Sequence, residues 1–206
     1  MRAKSIACRG TARGSDAASR RARRQPPALA PRAVWQSISG AILFDETIRQ
    51  QREDGTPLVN ILTVAGIIPG IKVDLGAKAQ AGHPGETVTE RLDGLRLHLK
   101  TYADLGARFA NWRAVLTIGD GLPTRPGIEV NAHALARYAA LCQDVGLVPI
   151  VEPEVLMDGD RSLERCRAVT EEVLHRVFGQ IYGQGVLFEG KILKPNIALP
   201  ELGCAT

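Results

Sequence analysis

The sequence predicts an α/β fold built on a parallel sheet. Short β-rich runs recur between residues 40 and 195 with helical patterns between them, and such alternation means parallel strands joined by right-handed crossovers. Hydrophobic residues make up 45% of the 206, enough for the core of one ordinary domain or most of a larger one. No apolar run approaches the roughly 20 residues that cross a bilayer, so a soluble chain is expected.

Residues 1–34 carry nine Lys/Arg and one acid, a net +8, with few large apolar residues and no periodicity. That composition predicts a disordered leader. It suits an organelle transit peptide or a mis-called gene start, and the abrupt join to the ordered region favours the second. The remaining 172 residues hold 17 Lys/Arg and 21 Asp/Glu, a net −4. The overall +4 therefore comes from the leader, and no basic, aromatic-lined face for nucleic acid is expected in the body. The domain reading is a basic leader over 1–38 and one α/β domain over 39–206.

Strands are expected at 40–44, 67–73, 109–118, 147–151 and 186–195. Thr87-Val88-Thr89-Glu90 has the form of a capping box, followed by Leu92, Leu95, Leu99 and Tyr102 at helical spacing. A second helix is expected over 131–145, with Leu135, Tyr138, Leu141 and Val145 inward. A third is expected over 162–181, with Leu163, Cys166, Val169, Val173, Val177 and Ile181 inward. Each stripe faces a core. Five strands suit an open doubly wound sheet or a piece of a TIM (β/α)8 barrel. No Gly-x-Gly-x-x-Gly follows the first strand, which counts against a dinucleotide fold. The glycines at 82–85 and Gly119-Asp120-Gly121 lack the Lys-Ser/Thr of a phosphate loop. Cys8, Cys142, Cys166 and Cys204 are scattered and read as reduced thiols in a cytosolic setting. His83, His98, His133 and His175 are isolated, so neither a metal site nor a bound cofactor is expected.

Charge at the strand ends carries the chemistry. Lys194 sits in the apolar run around Ile192 and Leu193, where burial would disfavour the cation and yield free amine. Such an amine condenses with a ketone, and the iminium formed is an electron sink for the adjacent C–C bond. Lys72 interrupts Ile71-Lys72-Val73, and Asn111 and Arg113 lie two apart, on one strand face. Glu152 and Glu154 end their strand at the same spacing. Either glutamate could move the protons of imine formation, while Lys72 and Arg113 suit a phosphate.

These segments resemble class I (Schiff-base) fructose-bisphosphate aldolase. The likeness is carried by Gly40-Ala41-Ile42-Leu43-Phe44-Asp45-Glu46-Thr47, Gly70-Ile71-Lys72-Val73-Asp74, Trp112-Arg113, residues 131–142, Val148-Pro149-Ile150-Val151-Glu152-Pro153-Glu154, Asp158-Gly159-Asp160 and Leu193-Lys194-Pro195-Asn196. The resemblance implies a partial TIM (β/α)8 barrel lacking the first and the last two strands. It implies cleavage of fructose 1,6-bisphosphate to dihydroxyacetone phosphate and glyceraldehyde 3-phosphate, without a metal. Lys194 falls on the Schiff-base lysine, Glu152 on the general acid/base and Glu154 on the second carboxylate. Lys72 and Arg113 fall on substrate-binding cations, and Asn111 stands where the family has a lysine. The implied partner is a sugar phosphate in the cytoplasm, with no nucleic acid or membrane, and a full-length relative is expected to be a homo-oligomer. An aldolase-like fragment without activity of its own is the alternative.

Overall fold

The computed structural model describes residues 5–7, 37–156 and 162–197. Most of the leader and the Asp158-Gly159-Asp160 motif lie outside these residues. Six strands form one parallel sheet in chain order: β1 (Ser5–Ala7), β2 (Ile38–Leu43), β3 (Ile68–Lys72), β6 (Phe109–Leu116), β7 (Val148–Val155) and β8 (Ile192–Leu193). A separate antiparallel hairpin pairs β4 (Ala77–Ala79) with β5 (Thr87–Thr89). Backbone pairing sets Ser5–Ala7, from within the leader, along the β2 edge.

Five helices connect the strands: α1 (Asp45–Ile48), α2 (Leu58–Val64), α3 (Leu95–Asp104), α4 (Arg125–Asp144) and α5 (Leu163–Gly183). Ile48, Leu58, Leu62, Leu95, Leu99, Leu135, Ala139, Val169 and Val173 from these helices share one core cluster with Leu43, Ile71, Ala110, Trp112, Ala114, Leu116 and Val151. Those strand residues alternate along their strands and register with one another, so they form one sheet face. All helices thus cover the same side, and strand order never reverses. A doubly wound sheet has helices on both faces and a reversal point; this is single winding, as in a barrel wall. The sheet does not close among the described residues.

Sequence signals place most of these elements. The α5 stripe Cys166, Val169, Val173, Val177 and Ile181 is buried throughout, and Ser162 caps the helix by accepting from Arg165 N at 3.3 Å. Helix α4 begins earlier than its apolar stripe suggests. Thr124 accepts from Gly127 N at 3.2 Å as its cap, and the buried Glu86 carboxylate accepts from Thr124 N at 2.8 Å and from the Thr124 hydroxyl. A carboxylate there also meets the positive end of the helix dipole. Gly127 makes room for it, since an added Cβ would lie 1.9 Å from Glu86 Oε1.

Three elements differ from expectation. Thr87-Val88-Thr89-Glu90 caps no helix: Thr87–Thr89 is strand β5, its hydroxyls donating to Val115 O at 3.0 Å and Arg113 O at 2.7 Å. The β-branched run favours extended backbone, and α3 starts only after Gly94, whose φ of 71° favours glycine. The last expected strand, 186–195, shrinks to Ile192–Leu193 behind a 3-10 turn at Phe188–Gly190. Phe188 stacks on Phe178 of α5, 5.8 Å between centroids, with Lys191 Nζ 4.5 Å from the Phe178 ring. Strand β7 instead runs past its expected end through Pro153. Val151 O accepts from Lys194 N, and Val155 N donates to Asn196 Oδ1. The odd-numbered β7 amides therefore face β8, and Pro149 and Pro153 take no donor from the ladder to β6.

Gly70 packs closely against Phe109 on the helix-free face. An added Cβ would lie 2.2 Å from the Phe109 ring, whose cluster includes Ile42 and Ile150. Gly70→Ala is expected to lower the urea-unfolding midpoint by the equivalent of about 1–3 kcal/mol, and adding Phe109→Leu should recover most of that loss.

Candidate active site

Lys72, Asn111, Arg113, Glu152, Glu154 and Lys194 all project to the helix-free face. Register sets Lys72 opposite Asn111 and Arg113 opposite Glu152, while Leu193 opposite Val151 brings Lys194 level with Glu152. Nearer the strand starts the same face is apolar, with Ile42, Phe109 and Ile150 buried together. The charged groups thus stand above an apolar floor, toward the carboxyl ends of the strands, where barrel chemistry is placed.

Glu152 is the hub. It is 5% exposed, and a carboxylate so placed needs partners for both oxygens. Oε1 meets Lys194 Nζ, and Oε2 accepts from Asn111 Nδ2 at 2.7 Å. Asn111 is itself buried at 2% exposure. Glu154 pairs with Arg113 through Nε, and both side chains are partly open to solvent. The charged residues singled out in the sequence thus resolve into two cross-strand pairs, Lys194–Glu152 and Arg113–Glu154, on neighbouring levels of the sheet.

Sequence reasoning missed a third carboxylate. Asp74, its side chain 1% exposed, pairs with Lys72 Nζ at 2.6 Å and accepts from Arg113 N at 3.3 Å and Gly76 N at 3.0 Å. It ties the Lys72 side chain to the backbone that carries Arg113. The available signal was its spacing, two residues past Lys72 and therefore on the same strand face. Asn196, which closes the Leu193-Lys194-Pro195-Asn196 motif, has a structural place: it bridges Val155 N and Thr170 Oγ1, holding the segment after Lys194 to β7 and α5.

The environment of Lys194 differs from expectation. The lysine lies just beyond β8, and its side chain is 48% exposed. Its distinguishing feature is the carboxylate it touches, not an apolar enclosure. Lys191 packs against Phe178 and Phe188, where burial lowers its amine below the ordinary lysine value.

Among the described residues no helix is long and apolar enough to cross a membrane. Residues 14–206 match the family described as fructose-bisphosphate aldolase class-I. A probable fructose-bisphosphate aldolase class 1 from Xanthomonas campestris pv. campestris is 60% identical over 167 residues, covering 81% of this chain and 50% of that protein. The cytosolic fructose-bisphosphate aldolase 6 of Arabidopsis thaliana is 50% identical over 182 residues, covering 88% of this chain and 51% of that protein. Among solved structures, fructose-bisphosphate aldolase from Plasmodium falciparum, crystallised with TRAP and a small-molecule inhibitor, superposes with a TM-score of 0.80 at 48% identity. It is covered to 50%, against 84% of this chain. That neighbour is a TIM barrel. The chain spans about half the length of the curated relatives it matches. With its singly wound sheet, its strand-end lysine and carboxylates, and a family match over nearly its whole length, the chain belongs to the class I fructose-bisphosphate aldolases.

Proposed function

We propose that the site performs Schiff-base cleavage of fructose 1,6-bisphosphate to dihydroxyacetone phosphate and glyceraldehyde 3-phosphate, with Lys194 as the imine-forming amine. The observation that carries this reading is the contact between Lys194 Nζ and Glu152 Oε1. A carboxylate touching the amine can take its proton before attack on the ketone. It can then return that proton to the carbinolamine hydroxyl as water leaves. The iminium withdraws electrons from the C3–C4 bond while the C4 hydroxyl gives its proton to a neighbouring carboxylate. Breaking that bond releases the aldehyde and leaves an enamine, which protonation and hydrolysis convert to the ketone product.

Glu154 serves as the second carboxylate beside the imine, and Lys72 and Arg113 as the cations for phosphate. Arg113 is paired with Glu154 and Lys72 with Asp74, so phosphate binding exchanges one anion for another at Arg113. The plant relative called cytosolic supports a cytoplasmic setting, and assembly as a homo-oligomer follows the family. A second reading, an aldolase-like chain with little turnover, is favoured by one observation: an uncharged amide, Asn111, occupies the position beside Glu152. Loss of a preorganised charge there is worth on the order of a hundred- to thousandfold in rate.

Borohydride reduction in the presence of dihydroxyacetone phosphate, followed by peptide mapping that separates Lys191 from Lys194, tests the reading. Label on Lys194 is expected in the native chain and none in Lys194→Met. Label on Lys191, or no label in a folded preparation, refutes the assignment. Glu152→Gln should slow labelling by about 10²- to 10⁴-fold. In steady-state cleavage assays, Arg113→Ala and Lys72→Met should each raise KM for the bisphosphate about 10- to 100-fold. Both should leave labelling by unphosphorylated dihydroxyacetone near the native rate.

A further inference from the structure

Asn111 donates to Glu152 Oε2 while Lys194 meets Oε1. An amide N–H accepts no proton and loses none over the working pH range. It can hold Oε2 whether Glu152 is ionised or protonated, because the protonated acid still offers a carbonyl oxygen. With Oε2 reserved in this way, Oε1 is the oxygen left to carry a proton. We propose that Asn111 is a positioning residue that fixes the Glu152 carboxyl and directs its mobile proton to the oxygen facing Lys194.

This inference rests on the Schiff-base reading of Lys194 and deepens it. In the step served, the Lys194 ammonium gives a proton to Glu152 Oε1, and the amine bonds to the ketone carbon as the C=O π bond opens and one N–H proton passes to its oxygen, forming the carbinolamine. The carbinolamine hydroxyl takes the Oε1 proton and leaves as water. The products are iminium and water, with the carboxylate regenerated. Among the described residues, the charged groups on the same sheet face as this pair are Lys72 and Asp74 at the end of β3, Arg113 of β6 and Glu154 of β7. They are matched among themselves as Lys72–Asp74 and Arg113–Glu154. Helix α5 contributes the uncharged Thr170, bound to Asn196. Position 111 is therefore where a new charge would act most directly on the Lys194–Glu152 pair.

The test is the pH profile of borohydride-dependent Lys194 labelling by dihydroxyacetone phosphate in the full chain. Asn111→Asp adds an anion that favours the ammonium and should move the profile up by about one pH unit. Asn111→Lys adds a cation and should move it down by about as much. Asn111→Ala should leave the profile in place and slow labelling about tenfold. Shifts of one sign, no shifts, or a native rate in Asn111→Ala overturn the proposal. If the native chain takes no label, the Schiff-base reading fails by itself, and a crystal structure of Asn111→Ala then decides for Asn111. A Glu152 carboxyl turned away from Lys194 supports positioning, and one left in place overturns it.

Discussion

One buried carboxylate organises the functional face of this chain. Glu152 lies in the middle of a parallel sheet strand, where water cannot solvate it. An unpartnered charge there costs several kcal/mol. The sheet answers with a donor from each side, Asn111 on β6 and Lys194 after β8. Both donors depend on register: a one-residue slip of either strand would turn its donor toward the helices. The same face holds the Phe109 ring against Gly70, so apolar packing at one end of the strands and ion pairing at the other enforce the same alignment.

Charge pairing also explains why so many ionisable groups are tolerated together. Three described carboxylates each have a cation: Asp74 has Lys72, Glu154 has Arg113 and Glu152 has Lys194. Exposure increases along that series of cations, from 22% for Lys72 to 40% for Arg113 and 48% for Lys194. The most open is the one proposed for covalent chemistry, which fits a group that must reach a substrate. The most enclosed is the one held by an aspartate that also binds backbone.

Much of this was legible in the residues. Alternating strands and helices foretold the parallel sheet. The two-residue spacing of Asn111 with Arg113, and of Glu152 with Glu154, foretold a shared face, because side-chain period in a strand is two. What escaped was set by tertiary partners. Thr87 and Thr89 look like helix-start residues until the β6 carbonyls are there to take their hydroxyls. Asp74 looks like a solvated strand end until Arg113 N and Gly76 N converge on it. The apolar residues around Lys194 suggested burial, but β8 ends at Leu193 and leaves the lysine beyond the ladder.

The functional face depends on energetic coupling between Lys194 and Glu152. A double-mutant cycle of Glu152→Gln and Lys194→Met, read as unfolding free energy in urea, measures it directly. Direct contact predicts a coupling of about 0.5–3 kcal/mol, toward the lower end because the lysine is half open to solvent. Single-mutant effects that add to within about 0.3 kcal/mol would mean the two groups do not act together, and the proposed site would lose its centre.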